Sequence, residues 1–218
     1  MDEAGLREEI CRIGRSLFER GYAHATAGNI SARLPDGFLI TPTDACLGFL
    51  DPARLAKVDA SGAQLSGERA SKTLALHRRI YEADAAAGCV IHTHSTHLVA
   101  LTLAGVWKTE DILPPVTPYY VMKVGHVPLI AYHRPGDPQV AERVAAAIAE
   151  RAARGTPIRA VMLERLGPNV WHDTPASASA VLEELEETAK VWLASGRTAA
   201  PLDDNQIDAL RRAFGARW

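Results

Sequence analysis

Cys89-Val90-Ile91-His92-Thr93-His94-Ser95-Thr96-His97 is the stretch around which the rest of the chain is organised. Cys89, Val90 and Ile91 form an apolar, partly β-branched run after Gly88 and predict a buried strand. On a strand His92 and His94, two residues apart, project from the same face, roughly 6.5 Å apart along the chain. Two ring nitrogens so placed can converge on one ion at about 2.0–2.1 Å each, as zinc requires. Ser95 or Thr96 is placed to cap a helix through Leu98, Val99, Leu101 and Leu103, closed by Gly105. A strand that turns into a helix at such a corner presents its end residues to a cleft. The alternative is a buried strand whose histidines only find hydrogen-bond partners.

Upstream, Leu6, Ile10, Ile13 and Leu17 recur at helical spacing over residues 3–21 and predict an amphipathic helix ending at Gly21. Ala25-Thr26-Ala27-Gly28-Asn29-Ile30-Ser31 is small and polar and leads into a strand near Ser31–Leu34. A Gly-Asn corner flanked by threonine offers backbone N–H groups, an amide and a hydroxyl, which suits an anion such as phosphate; an ordinary turn has the same composition. Gly37–Thr41 predicts the next strand, followed by the polar loop Pro42-Thr43-Asp44 and a strand over Ala56–Ala60. Ala70-Ser71-Lys72-Thr73 precedes a helix with Leu76, Ile80 and Ala83 inward, Ser71 being the expected N-cap. A serine and a lysine at a helix N-terminus make another anion corner. His77 falls one turn inside, where a core histidine would sit.

Downstream, the proline-rich run 114–118 breaks the chain before Tyr119-Tyr120-Val121-Met122. Val127–Ala131 predicts an edge strand because of Pro128. Asp137-Pro138 opens a helix, IRAVML (158–163) is a buried strand, and 169–172 pairs after the Gly167-Pro168 turn. Thr174-Pro175 starts a long helix, and Asp203 or Asp204 a last one. Strands and helices alternate, which predicts an α/β protein: one domain over residues 1–218, a central, mostly antiparallel sheet flanked by helices, with 198–218 a C-terminal helical extension.

Composition narrows the partners. With 24 basic and 26 acidic residues the formal charge is -2, so there is no basic field for nucleic acid and no polybasic membrane patch. No apolar run approaches a membrane span, and MDEAGLREEI is too acidic for a secretion signal. Cys11, Cys46 and Cys89 are scattered and odd in number, as expected of buried thiols in a reducing cytoplasm and not of a disulfide framework or a thiolate zinc site.

Assembled in order, Thr26-Ala27-Gly28-Asn29-Ile30-Ser31, Thr41-Pro42-Thr43, Ser71-Lys72 ahead of His77, and His92-Thr93-His94-Ser95 resemble the class II aldolase/adducin family over about residues 5 to 196. Thr43-Asp44-Ala45-Cys46-Leu47-Gly48 and Tyr119–His126 most resemble its 3-oxo-tetronate 4-phosphate decarboxylase branch. The resemblance implies a fuculose-phosphate aldolase-like fold and a cytoplasmic, homotetrameric lyase, a decarboxylase or aldolase of carbohydrate metabolism. Its substrate would be a phosphorylated keto sugar or sugar acid, and it would use Zn²⁺ or another divalent metal such as Mn²⁺. Carried over by position, Thr26, Gly28, Asn29, Thr43, Ser71 and Lys72 would form the phosphate pocket. His92 and His94 would bind the metal, and Lys72, Thr73 and Tyr120 would be catalytic. A divalent ion on the substrate's hydroxyl and keto oxygens would stabilise the enediolate left when a C–C bond breaks.

The chain departs from the family at two positions. Thr73 stands where the family usually has its proton-transfer glutamate, and Leu166, in Arg165-Leu166-Gly167-Pro168, stands where it has a third zinc histidine. Leucine cannot bind zinc, and a threonine hydroxyl is a poor acid or base near neutral pH. His172, close in sequence to the lost ligand, is a candidate replacement. These departures set a second reading beside the enzyme, a catalytically inactive scaffold or binding protein. A third is a dehydratase or epimerase on the same scaffold.

Overall fold

The computed structural model describes all 218 residues. Its strands are β1 Asn29–Leu34, β2 Gly37–Ile40, β3 Ala56–Asp59, β4 Gln64–Ser66, β5 Cys89–His92, β6 Leu129–Ile130, β7 Ala160–Leu163 and β8 Gly167–His172. They form one sheet in the order β4-β3-β2-β1-β5-β8-β7-β6. Every neighbouring pair is antiparallel except β6–β7. The helices are α1 Glu3–Glu19, α2 Leu74–Ala83, α3 Thr96–Ala104, α4 Pro138–Ala153, α5 Pro175–Ala194 and α6 Asp204–Phe214.

Side chains of β5 alternate between two cores. Cys89 and Ile91 pack with Ile10, Leu17, Leu98 and Leu182 of α1, α3 and α5; Val90 packs with Ile80, Tyr81, Val144 and Ile148 of α2 and α4. Both faces of the sheet are covered, so a central strand reads as a continuous apolar run. The α/β architecture expected from the sequence is the one observed, with β6 at the edge that Pro128 predicts.

Three local expectations are corrected. β1 begins at Asn29, two residues earlier than its apolar pattern, because Asn29 pairs with His92 across the β1–β5 ladder. Helix α2 begins at Leu74, and Ser71 is not its cap: the Ser71 hydroxyl instead meets Thr73 Oγ1 at 2.9 Å. Ser95 occupies the N-cap position of α3 without capping it, since its hydroxyl donates to the Tyr22 carbonyl (3.1 Å). The cap comes from α5, where the buried Glu186 carboxylate accepts the N–H groups of His97 (2.9 Å) and Leu98 (3.0 Å).

Candidate active site

A cleft of about 530 Å³ opens where the ends of β1 and β5 meet the starts of α2 and α4. Thr26, Gly28 and Asn29 line it beside Thr43; Ser71, Lys72 and Thr73 enter from the turn before α2. His92 and His94 enter from the corner after β5. Four segments scattered through the first half of the chain thus face one space. No carboxylate pairs with Lys72, so its ammonium is available to an anion. Glycine at position 28, with φ +93, lets the loop close on the corner: a Cβ there would stand 2.8 Å from the His92 carbonyl oxygen.

His92 is buried, and its Nδ1 lies 2.8 Å from the Pro168 carbonyl oxygen. A carbonyl can only accept, so Nδ1 carries the proton and Nε2 keeps its lone pair. Burial, reinforced by the neighbouring His94, pushes the His92 pKa down to about 4. His94 is lowered by burial and by His24. Both rings are therefore neutral near pH 7, the state in which imidazole binds a metal.

Around His92 lies a row of buried polar groups. Asn29 on β1 and Asn169 on β8 flank it in register. His77 of α2, bonded through Nδ1 to Ser31 Oγ (2.7 Å), is pushed down to about 3 by burial first and His92 second. Asn29 Oδ1, both amide atoms of Asn169 and His77 Nε2 have no hydrogen-bond partner within the protein. An unpaired buried polar group costs about 1–3 kcal/mol, so this row is built to meet a polar ligand or solvent.

These depressed values have a consequence for stability. His77 at about 3 and His92 at about 4 lie below the unfolded histidine value near 6.5, so the unfolded chain binds more protons between about pH 6.5 and 4. Stability is fully present above that window and falls as pH drops through it, on the order of 2 kcal/mol for each ring between pH 7 and pH 4.5. Urea midpoints of the metal-free protein at the two pH values should differ accordingly. A flat profile would mean that neither ring is held neutral.

Tyr120 sits elsewhere. The π-helical turn Tyr120–Val124 directs it inward, where it is fully buried with its ring 5.5 Å from that of Trp218, while Tyr119 is left 61% exposed. It does not line the cleft. His172 is also removed from the candidate ligands. It pairs with Cys89 at the far end of β5, accepts from Arg159 Nη1 (2.9 Å) and contacts Asp173. Leu166 does line the cleft and brings hydrocarbon there.

Several cleft residues escaped the sequence reading. His133, Arg134, Asp137 and Glu164 line the wall formed by the α4 approach and the end of β7. His133 and Arg134 lie in a Pro-Gly loop without periodic pattern, and Asp137 is legible only as the residue that opens α4. Asn169, a lone amide in a buried apolar strand, was the legible signal for the polar row.

As the side chains stand, no three His, Cys, Asp or Glu residues share an ion. Two do have the right spacing: the His92 and His94 ring centroids are 5.1 Å apart. Zn–N bonds of about 2.0–2.1 Å in tetrahedral geometry place two imidazole centroids about 5.2 Å apart. The separation of the histidine pair matches that of two imidazoles on one divalent ion, and His92 Nε2 is free to bind it.

The chain belongs to the class II aldolase and adducin family, whose N-terminal domain description matches residues 8–193. It is 60% identical to a 3-oxo-tetronate 4-phosphate decarboxylase of Cupriavidus necator, over 99% of both chains. A protein of the same name from Escherichia coli K12 is 43% identical over 96% of both. The crystal structure of YgbL from Escherichia coli superposes with a TM-score of 0.87 at 43% identity, covering 96% of this chain and 99% of that one.

Proposed function

We propose that this chain is a carbon–carbon lyase that decarboxylates a 3-oxo-tetronate 4-phosphate. The observation that carries the reading is the convergence of an unpaired lysine, four hydroxyls and an amide with two neutral imidazoles in one cleft. The first set suits the phosphate: Lys72 supplies charge, and Asn29, Thr43 and Ser71 supply polar contacts around it. A 3-oxo acid loses CO₂ when the C1–C2 bonding electrons move toward the 3-keto oxygen; C2 then takes a proton. A divalent ion, Zn²⁺ or Mn²⁺, held by His92 and His94 would supply the positive charge that draws those electrons. The Thr73 hydroxyl, 2.9 Å from Ser71 Oγ, serves to position the phosphate-side turn and not to exchange protons. Thr73 and Leu166 are what favours the inactive scaffold; against it stand the proteins at 60% and 43% identity, which carry the decarboxylase name.

The reading extends to the assembly and its setting. A homotetramer accords with the large apolar side chains left exposed on and near the helices, Leu103 at 61% and Phe214 at 66% among them. All three thiols are free, which suits a reducing cytoplasm, although only Cys89 is buried as expected and Cys11 and Cys46 are half-buried; no helix is long and apolar enough to cross a membrane.

Release of CO₂ from synthetic 3-oxo-tetronate 4-phosphate tests the activity. Lys72→Ala tests the phosphate assignment: losing a charge-assisted contact of about 1.5–3 kcal/mol should raise KM roughly 10–100-fold. The fold should be spared, because Lys72 makes no ion pair within the protein. An unchanged KM would make Lys72 a solvated turn residue.

A further inference from the structure

Reading His92 and His94 as ion ligands leaves a third protein ligand unassigned, since Leu166 lines the cleft where the family resemblance puts a histidine. We propose that His24 supplies it, an inference that rests on the divalent-ion reading above. His24 lies between α1 and β1 on a loop tied to the His92–His94 corner at both ends. Ser95 Oγ donates to the Tyr22 carbonyl on one side (3.1 Å), and Gly28 packs against the His92 carbonyl on the other. Between these ties the His24 ring stands edge-on to His94, centroids 6.3 Å apart and planes at 73°.

A common tetrahedral ion would need about 5.2 Å between those centroids, so that pair must close by roughly 1 Å, and the His24 ring must swing from outside the cleft lining toward His92 as well. Nothing restrains it. It is exposed and forms no hydrogen bond or ion pair, and exposed side chains change rotamer freely. The other histidines outside the pair are engaged: His77 with Ser31, His97 with Glu186, His126 with Asp111, His133 with Asp137 and His172 with Asp173. Among the eight histidines, only His24 and His94 have neither ring nitrogen in a hydrogen bond or ion pair within the protein, and these two rings are edge-to-face neighbours. With His24 drawn in, three imidazoles would hold the ion and leave one position open to substrate, the arrangement of a catalytic zinc site.

Cobalt titration of the metal-free full chain, followed by calorimetry and by the visible absorption of Co²⁺, decides the matter. Wild type should bind about one Co²⁺ per chain. His24→Ala should weaken binding at least about tenfold and alter the absorption spectrum, since even outer-sphere partners of metal ligands contribute about 10–100-fold in affinity. Thermal melting of the metal-free proteins should be unchanged, because the ring is exposed and unpartnered. If His24→Ala binds Co²⁺ with wild-type affinity and spectrum while His94→Ala does not bind it, the His24 assignment is overturned and the divalent-ion reading stands. If wild type and His94→Ala behave alike, with or without binding, the ion reading itself fails and takes the His24 assignment with it.

Discussion

Gly167→Ala is expected to destabilise the protein by about 4 kcal/mol or more, an exceptional cost for one methyl group. At φ +141 the residue brings β8 so close to the corner that a Cβ would sit 1.9 Å from the Thr93 carbonyl oxygen and 3.1 Å from His94 Cα. Backbone on both sides leaves no flexible side chain to yield. β8 would have to separate from β5 at the point where the Pro168 carbonyl fixes the tautomer of His92. A fall in melting temperature on the order of 10 °C is expected for a chain of this size, together with loss of activity in the protein that remains folded. Gly155→Ala is the control: φ +75 with nothing within 4 Å of the added carbon should cost only the conformational strain, about 1 kcal/mol. Equal melting temperatures for the two variants would show that the close approach of β8 carries no stability.

His94→Ala should lower kcat/KM for decarboxylation by about 10³-fold or more, several kcal/mol of transition-state stabilisation. The ring is only partly buried and makes no protein hydrogen bond, so stability should scarcely change. That separation of activity from stability distinguishes an ion ligand from a core histidine. His77, fully buried and bonded to Ser31, would show the opposite pattern. Near-wild-type turnover in folded His94→Ala would rule out chemistry that depends on an ion at the histidine pair.

Much of the architecture was legible in the sequence because it is written locally. The period-2 and helical patterns gave the order of strands and helices, and Pro128 marked the edge strand. The polar corners at Thr26–Asn29, Thr43 and Ser71–Thr73 stood out, as did His92 and His94, because their residue types suit anions and metals wherever the chain carries them. Tertiary structure decided which of these corners share a space. Asn29 meets His92 only because β1 and β5 are neighbours in the sheet, and Glu186 caps α3 from 89 residues away. Tyr120 turns inward on a π-helical turn that no simple periodicity announces, and His172 lies at the wrong end of β8 although it is close in sequence to Leu166. His24 comes beside His94 through a loop held at both ends by the corner itself. The physical reason is one of range. Dihedral preference and hydrophobic period act over a few residues, whereas a binding site is a convergence of side chains that only strand order, close backbone packing and burial bring together.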